Sequence, residues 1–255
     1  MQVIALVVLL AAAVSAVPAN PQRILGGSIT SIETYPDMAA LLFTWNWSHY
    51  NQNCGSVILN QRSVLTAAHC PGDDPPTRWR FRVGSTWGNN GGVVHHVTTI
   101  FVHPNFNRLT LNSDIAVMRT GSTIAFTNSV AQTSIAGTNY NLADNQNVMV
   151  VGWGALSQGG SMSPQLRHIQ LRSVNQQECI NRFSDRNSVI NENNLCTAIL
   201  DQGGLGQCSG DSGGPVYHNG VVVGLTSFVV SCGNNFYPSV NTRVSRFTPW
   251  VLSVA

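Results

Sequence analysis

Apolar positions along this chain come in short bursts separated by Gly, Asn and Pro, the spacing of strands and tight turns rather than of long helices. Trp79–Val83 alternates aromatic or aliphatic residues with arginine, and Leu166–Val174 shows a looser alternation at 166, 169, 171 and 174. Ala39–Phe43, Ile115–Met118, Val148–Val151 and Val221–Leu225 are continuous apolar runs that suit strands buried on both faces. Many short strands at this spacing predict an all-β sandwich or a pair of barrels. Two stretches read as helix. One is the polar segment Asn175–Phe183; the other is Thr248–Ala255, with Thr248 as N-cap, Pro249 at the first helical position, and Phe247, Trp250, Val251 and Val254 on one face. The Gly- and Asn-rich stretch 137–147 is the expected crossing between halves.

The first apolar run has a different meaning. Ile4–Val14 is short for a spanning helix and leads to the small residues Val14-Ser15-Ala16, so residues 1–16 read as a secretory signal peptide, despite an n-region with no basic side chain. No later stretch is long enough to cross a membrane as a helix. A secreted context makes the six cysteines candidates for up to three disulfides. No C-x-x-C pair exists and His69-Cys70 stands alone, so a zinc site is not expected. The net charge of +2, without basic runs, gives no footprint for nucleic acid. All thirteen basic residues are arginine and none is lysine, where ordinary usage gives roughly a dozen lysines. Lysine loses its charge near pH ~10.4 and arginine does not. A strongly alkaline medium is one reading; codon bias and avoidance of lysine-directed cleavage are the others.

The chemistry centres on Gly206-Gln207-Cys208-Ser209-Gly210-Asp211-Ser212-Gly213-Gly214-Pro215. A serine between glycines can be a turn or a nucleophile. As a nucleophile it needs a histidine base, a carboxylate to orient that base, and N–H donors for an oxyanion. Gly210–Gly214 also fits the G-x-S-x-G elbow of α/β-hydrolases, which requires an acid and then a histidine downstream. Only His218 follows Ser212, and no Asp or Glu does, so chain order excludes that arrangement. The opposite order is available, with His69 at a strand end and Asp114 opening an apolar run. His95 and His96 point to opposite faces of a strand and do not make a metal pair; His168 and His218 read as ordinary strand or turn residues.

Thr66-Ala67-Ala68-His69-Cys70, Asp114-Ile115-Ala116-Val117 and Gly210-Asp211-Ser212-Gly213-Gly214-Pro215 together resemble the three signatures of the chymotrypsin/trypsin family, in its order and near its spacing. Arg23-Ile24-Leu25-Gly26-Gly27 and Gly152-Trp153-Gly154 extend the resemblance over roughly residues 24–255. It implies two antiparallel six-stranded β-barrels with a short C-terminal helix. His69 would be general base and acid, Asp114 its orienting partner, Ser212 the nucleophile, and the N–H groups of Gly210 and Ser212 the oxyanion hole. Cys54–Cys70, Cys179–Cys196 and Cys208–Cys232 would pair. Residues 17–23 would be an activation prosegment, and cleavage after Arg23 would free the Ile24 amine to pair with Asp211. The implied partners are protein and peptide substrates, an activating trypsin-like protease and proteinaceous inhibitors, with no cofactor, metal, nucleic acid or membrane; by family habit the protein is a monomer.

Tyr217–Gly224 and Asn241–Phe247 look most like midgut trypsins of moth and butterfly larvae, which implies a digestive enzyme of an alkaline gut lumen. One departure bears on specificity. Trypsins place an aspartate six residues before the nucleophile, and here that residue is Gly206. Matched walls are Ser227, Val229 and Ser239, and Val229 replaces the glycine of chymotrypsin-like relatives, as in elastase-like ones. The expectation is therefore an apolar side chain at the cleaved position, because an unpaired guanidinium there would be costly. The alternatives are cleavage after Arg or Lys and, on a different footing, a non-catalytic homologue acting as a binding module. The stretch matching the family's calcium loop, 84–97, has no acidic residue, which disfavours calcium. Asn46-Trp47-Ser48 is an N-glycosylation acceptor triplet.

Overall fold

The computed structural model describes residues 27–186 and 188–255. The expected signal peptide, prosegment, Arg23 and Ile24 lie outside the described residues. The elements run in the order β1 (Ser28–Ile29), β2 (Met38–Phe43), β3 (Asn51–Asn60), β4 (Ser63–Thr66), β5 (Trp79–Val83), β6 (Val93–Val102), β7 (Ala116–Thr120), β8 (Ser134–Ile135), β9 (Asn147–Gly152) and β10 (Arg167–Ser173). They continue with α1 (Gln176–Arg182), β11 (Asn194–Ala198), β12 (Pro215–His218), β13 (Val221–Phe228), β14 (Ser239–Arg243) and α2 (Thr248–Val254). Strands β2-β3-β4-β7-β6-β5 close into one antiparallel barrel. A second closes through β9-β10-β11-β14-β13-β12, with β12 returning to β9; β1 adds to β10, and β8 lies parallel to β13.

The two kinds of strand pattern have different physical origins. In β5, Trp79, Phe81 and Val83 fill the first barrel while Arg80 and Arg82 turn outward, giving the alternation. In β2 all six residues are buried. Ala39, Leu41 and Phe43 point into the first barrel, whereas Met38, Ala40 and Leu42 join a second cluster with Val151, Trp153, Leu166, Tyr217 and Leu225 from the other barrel. A continuous apolar run here marks a strand with a core on each side. Truncating Leu42 to Ala would cost about 2–5 kcal/mol at such a site.

Asn175 caps α1, its side chain accepting from Glu178 N–H at 3.1 Å. The start of α2 differs by one residue from the sequence expectation. Phe247 is the cap position, and the Thr248 hydroxyl donates to the carbonyls of Ala136 (2.5 Å) and Val244 (3.2 Å) instead of capping its own helix. The chain leaves the first barrel after β7, and β8 is already paired with the second. The passage between barrels thus lies upstream of 137–147. Cys54–Cys70, Cys179–Cys196 and Cys208–Cys232 are the disulfides, as the family resemblance implied. No described helix is long and apolar enough to cross a membrane.

Candidate active site

The site is built where the two barrels meet, and each barrel contributes to holding the other's residues. Asp114, just before β7, is fully buried. Its Oδ1 accepts the His69 backbone N–H at 2.8 Å, and its Oδ2 lies 2.7 Å from His69 Nδ1. From the second barrel, Ser227 Oγ donates to the same Oδ2 at 2.5 Å and Thr242 Oγ1 donates to the Asp114 main-chain carbonyl at 2.7 Å. A buried carboxylate is tolerable only when its lone pairs are satisfied, and here three donors meet it. The Nδ1 contact leaves Nε2 of the partly exposed His69 ring as the nitrogen free for chemistry. The Cys54–Cys70 disulfide staples the turn that carries the ring. Cys54, His69 and Cys70 crowd together, but both sulfurs are bonded to each other and offer no thiolate to a metal.

Ser212 lies between β11 and β12, in a loop tied down on both sides. Its carbonyl accepts Gly55 N–H at 2.8 Å, and Gly213 N–H donates to Thr226 O at 2.7 Å. Gly213 has φ +73°, and a Cβ there would stand 2.0 Å from Thr66 Oγ1 and 2.9 Å from Ala67 N. The absence of a side chain at 213 is what lets the serine loop close onto the segment leading to His69. The close approach of Gly213 to Thr66 and Ala67 sets the serine loop against the segment leading to His69, and no hydrogen bond joins Ser212 to His69. Such bonds are often long before substrate arrives. The backbone N–H of Asp211 is used by Cys208 O, whereas those of Gly210 and Ser212 donate to no protein group among the described residues. Gly210 takes φ +93°, and its carbonyl is pulled away by Gln52 Nε2 of the first barrel at 2.9 Å. Two free N–H groups beside a serine form a cradle for developing negative charge.

Asp211 is completely buried behind this cradle. Its Oδ1 accepts Gly154 N–H at 2.8 Å and its Oδ2 accepts Cys208 N–H at 3.0 Å. Gly152 and Gly154 exist to make room: a Cβ on either would lie 2.3 or 2.2 Å from a carboxylate oxygen. Burial pushes the Asp211 carboxyl up to about 6, opposed only in part by the two N–H donors. No described cation reaches it.

Beside the serine loop, Gly206 begins the expected pocket. The position of a Cβ there has Gly233 Cα at 3.2 Å and Ser239 Oγ at 3.7 Å as its near neighbours, with no charged group among them. Ser227, expected beside the substrate, turns its hydroxyl to Asp114. Val229, just past the end of β13, is half-buried. Sequence reasoning missed Gln207. It is fully buried, and its Nε2 donates to Thr226 Oγ1 (2.9 Å) and Asn241 Oδ1 (2.7 Å). Asn241 Nδ2 must donate to Leu195 O at 2.8 Å, so the orientation of both amides follows, and Gln207 Oε1 is left without a partner.

Residues 24–251 match the family model described as Trypsin. The chain is 54% identical to "Trypsin, alkaline C" of Manduca sexta, covering 97% of both sequences, and 53% identical to "Trypsin CFT-1" of Choristoneura fumiferana, with the same coverage. It is 48% identical to "Achelase-1" of Lonomia achelous, over 91% of this chain and all of that one. Among solved structures it is similar in fold to the scabies mite inactivated protease paralogue S-D1. That likeness has a TM-score of 0.82 and 23% identity, and covers 90% of this chain and 96% of that one.

Proposed function

The chain belongs to the trypsin family of serine endopeptidases, and from that premise we propose a secreted digestive enzyme that uses His69, Asp114 and Ser212 as its triad. His69 Nε2 removes the proton as Ser212 Oγ attacks the scissile carbonyl, and later returns it to the leaving amine. Asp114 holds the ring by the Nδ1 contact and stabilises the imidazolium. The N–H groups of Gly210 and Ser212 receive the oxyanion. The line Ser227–Asp114–His69, together with a serine loop packed against the segment leading to His69 and unused N–H groups on Gly210 and Ser212, supports this reading against that of a non-catalytic binder. Fluorophosphonate labelling after tryptic activation tests it: stoichiometric labelling that vanishes in Ser212→Ala is expected, and an unlabelled but correctly cleaved protein overturns it.

Specificity follows from the pocket. With Gly206 at its base and Asp211 turned away to Gly154 and Cys208, no carboxylate waits for a guanidinium, so the favoured side chain is apolar and cleavage after Arg is poor. The names of the relatives favour the second reading, cleavage after Arg or Lys. A peptide library read at the cleaved position separates the two. Neutral residues are expected to exceed Arg at least about tenfold in kcat/KM, the scale of one unpaired buried charge or more. The same pocket makes self-activation at Arg23 inefficient, so a separate trypsin-like protease opens the zymogen. Freed, the Ile24 amine pairs with Asp211. An alkaline lumen suits the lysine-free surface, and "alkaline" in the names of the Manduca relatives supports the same reading.

A further inference from the structure

On the seam between the barrels, away from the serine loop, a cavity of about 420 Å³ is lined by residues that the catalytic reading does not use. Asp37, at the entry to β2, is the one charged side chain among its described lining residues and is only 9% exposed. Tyr217 of β12 donates its hydroxyl to Asp37 Oδ2 at 2.9 Å. The Thr133 hydroxyl lies beside the same carboxylate and has no other partner. No described arginine or histidine pairs with Asp37. Burial raises its carboxyl above the ordinary range.

A carboxylate brought this far out of water needs a counter-charge or costs stability. Nothing in the reaction places it here, since it lies in the turn just before β2 of the first barrel and faces a tyrosine of the second. The space resembles a ligand site more than a metal site. Its volume is that of a small-molecule pocket, and one carboxylate falls short of the several oxygens a calcium ion gathers. The rings of Tyr35 and Tyr217 stack at 5.6 Å beside the acid, a π surface of the sort that receives an organic cation. Tyr35 is itself held by His168 Nδ1 at 2.8 Å, which fixes the ring against that wall.

We propose that this cavity is a binding site for a small organic cation, its ammonium or guanidinium end on Asp37 and its alkyl part along Tyr35 and Met149. The occupant bridges the turn that enters β2 of one barrel and β9 of the other, so it acts as a clamp on their docking and stabilises the folded chain.

The probe is n-butylammonium at pH 8, with n-butanol as neutral isostere, sodium chloride matched for ionic strength, and Ser212 blocked by a fluorophosphonate to remove the primary pocket from the measurement. Half-saturation is expected at roughly millimolar probe for so few atoms. At about ten times that concentration Tm should rise by about 3–5 °C. Asp37→Asn should abolish the rise, while Asp144→Asn, which removes an exposed acid elsewhere, should leave it intact. An equal rise with n-butanol, or equal loss in both variants, overturns the proposal. Should Asp37→Asn not fold, a crystal structure with the probe decides. The nitrogen within hydrogen-bonding distance of an Asp37 oxygen supports the site, and a probe bound only elsewhere overturns it.

Discussion

Cleavage after Arg23 should stabilise this protein, and by an amount that depends on pH in a defined way. Asp211 is wholly buried and its carboxyl sits at about 6 against 3.8 for the free group. In a group with a raised folded pKa of this kind, the folded state binds the proton more tightly, so stability falls as pH rises between the two values. About two units correspond to about 3 kcal/mol, present as a penalty at all pH values above about 6. A cation delivered to Asp211 removes that penalty. If the Ile24 amine is that cation, its own pKa is raised above its free value of ~7.7–8.0. Its contribution is then complete below that range and lost as pH climbs through the folded value. Calorimetry of the Ser212→Ala proenzyme before and after tryptic cleavage measures the difference. At pH 8 the cleaved form should melt about 6–12 °C higher, from 2–4 °C per kcal/mol at this chain length. At pH 4, where Asp211 is largely protonated in the uncleaved fold, the gap should nearly close, and it should narrow again above pH 10. A gap of equal size at pH 4 and pH 8 refutes the electrostatic account of the switch.

Three further outcomes follow from the site. Ser227→Ala deletes one of the three donors on Asp114 and should lower kcat about tenfold with KM unchanged; unchanged kcat at saturating substrate would remove Ser227 from the machinery. Gly154→Ala drives a Cβ into the Asp211 carboxylate at 2.2 Å and breaks its N–H contacts, so active-site titration should find less than a tenth of the protein competent while far-UV circular dichroism stays native. Replacing Cys54 and Cys70 by serine opens a 16-residue loop and should cost about 3 kcal/mol in urea titration, with loss of activity at lower denaturant than loss of fold.

Much of this architecture is legible in the chain because local physics and tertiary demand agree. Trp79–Val83 alternates since one face fills a barrel and the other meets solvent, and the polar segment Asn175–Phe183 reads as helix because most of α1 stays at the surface. Continuous runs such as Ala39–Phe43 are readable as doubly buried strands, but not their partition between a barrel interior and the inter-barrel cluster, which depends on closure. Thr248 carried a capping signal and was diverted by the nearby Ala136 carbonyl, a contact 112 residues away in sequence. The same limit applies at the site. His69, Asp114 and Ser212 stand in recognisable local patterns, whereas Thr242, Gln52 and Gln207, and the tie of the Ser227 hydroxyl to Asp114, depend on partners distant in sequence and carry no local signature. The Asp37 cavity left no pattern at all, because its walls come from both barrels.

The crossed attachments of the site have a consequence for how the molecule fails. Gln52 of one barrel holds the peptide of Gly210 in the other, and Ser227 and Thr242 of the second hold Asp114 of the first. Catalytic geometry is therefore a property of the joint, and neither half contains it. A slight slip at the seam silences the enzyme while both barrels remain folded, so inactivation should run ahead of unfolding on heating. Two fragments divided in the 121–133 connection would each be inert and would regain activity only on reassociation.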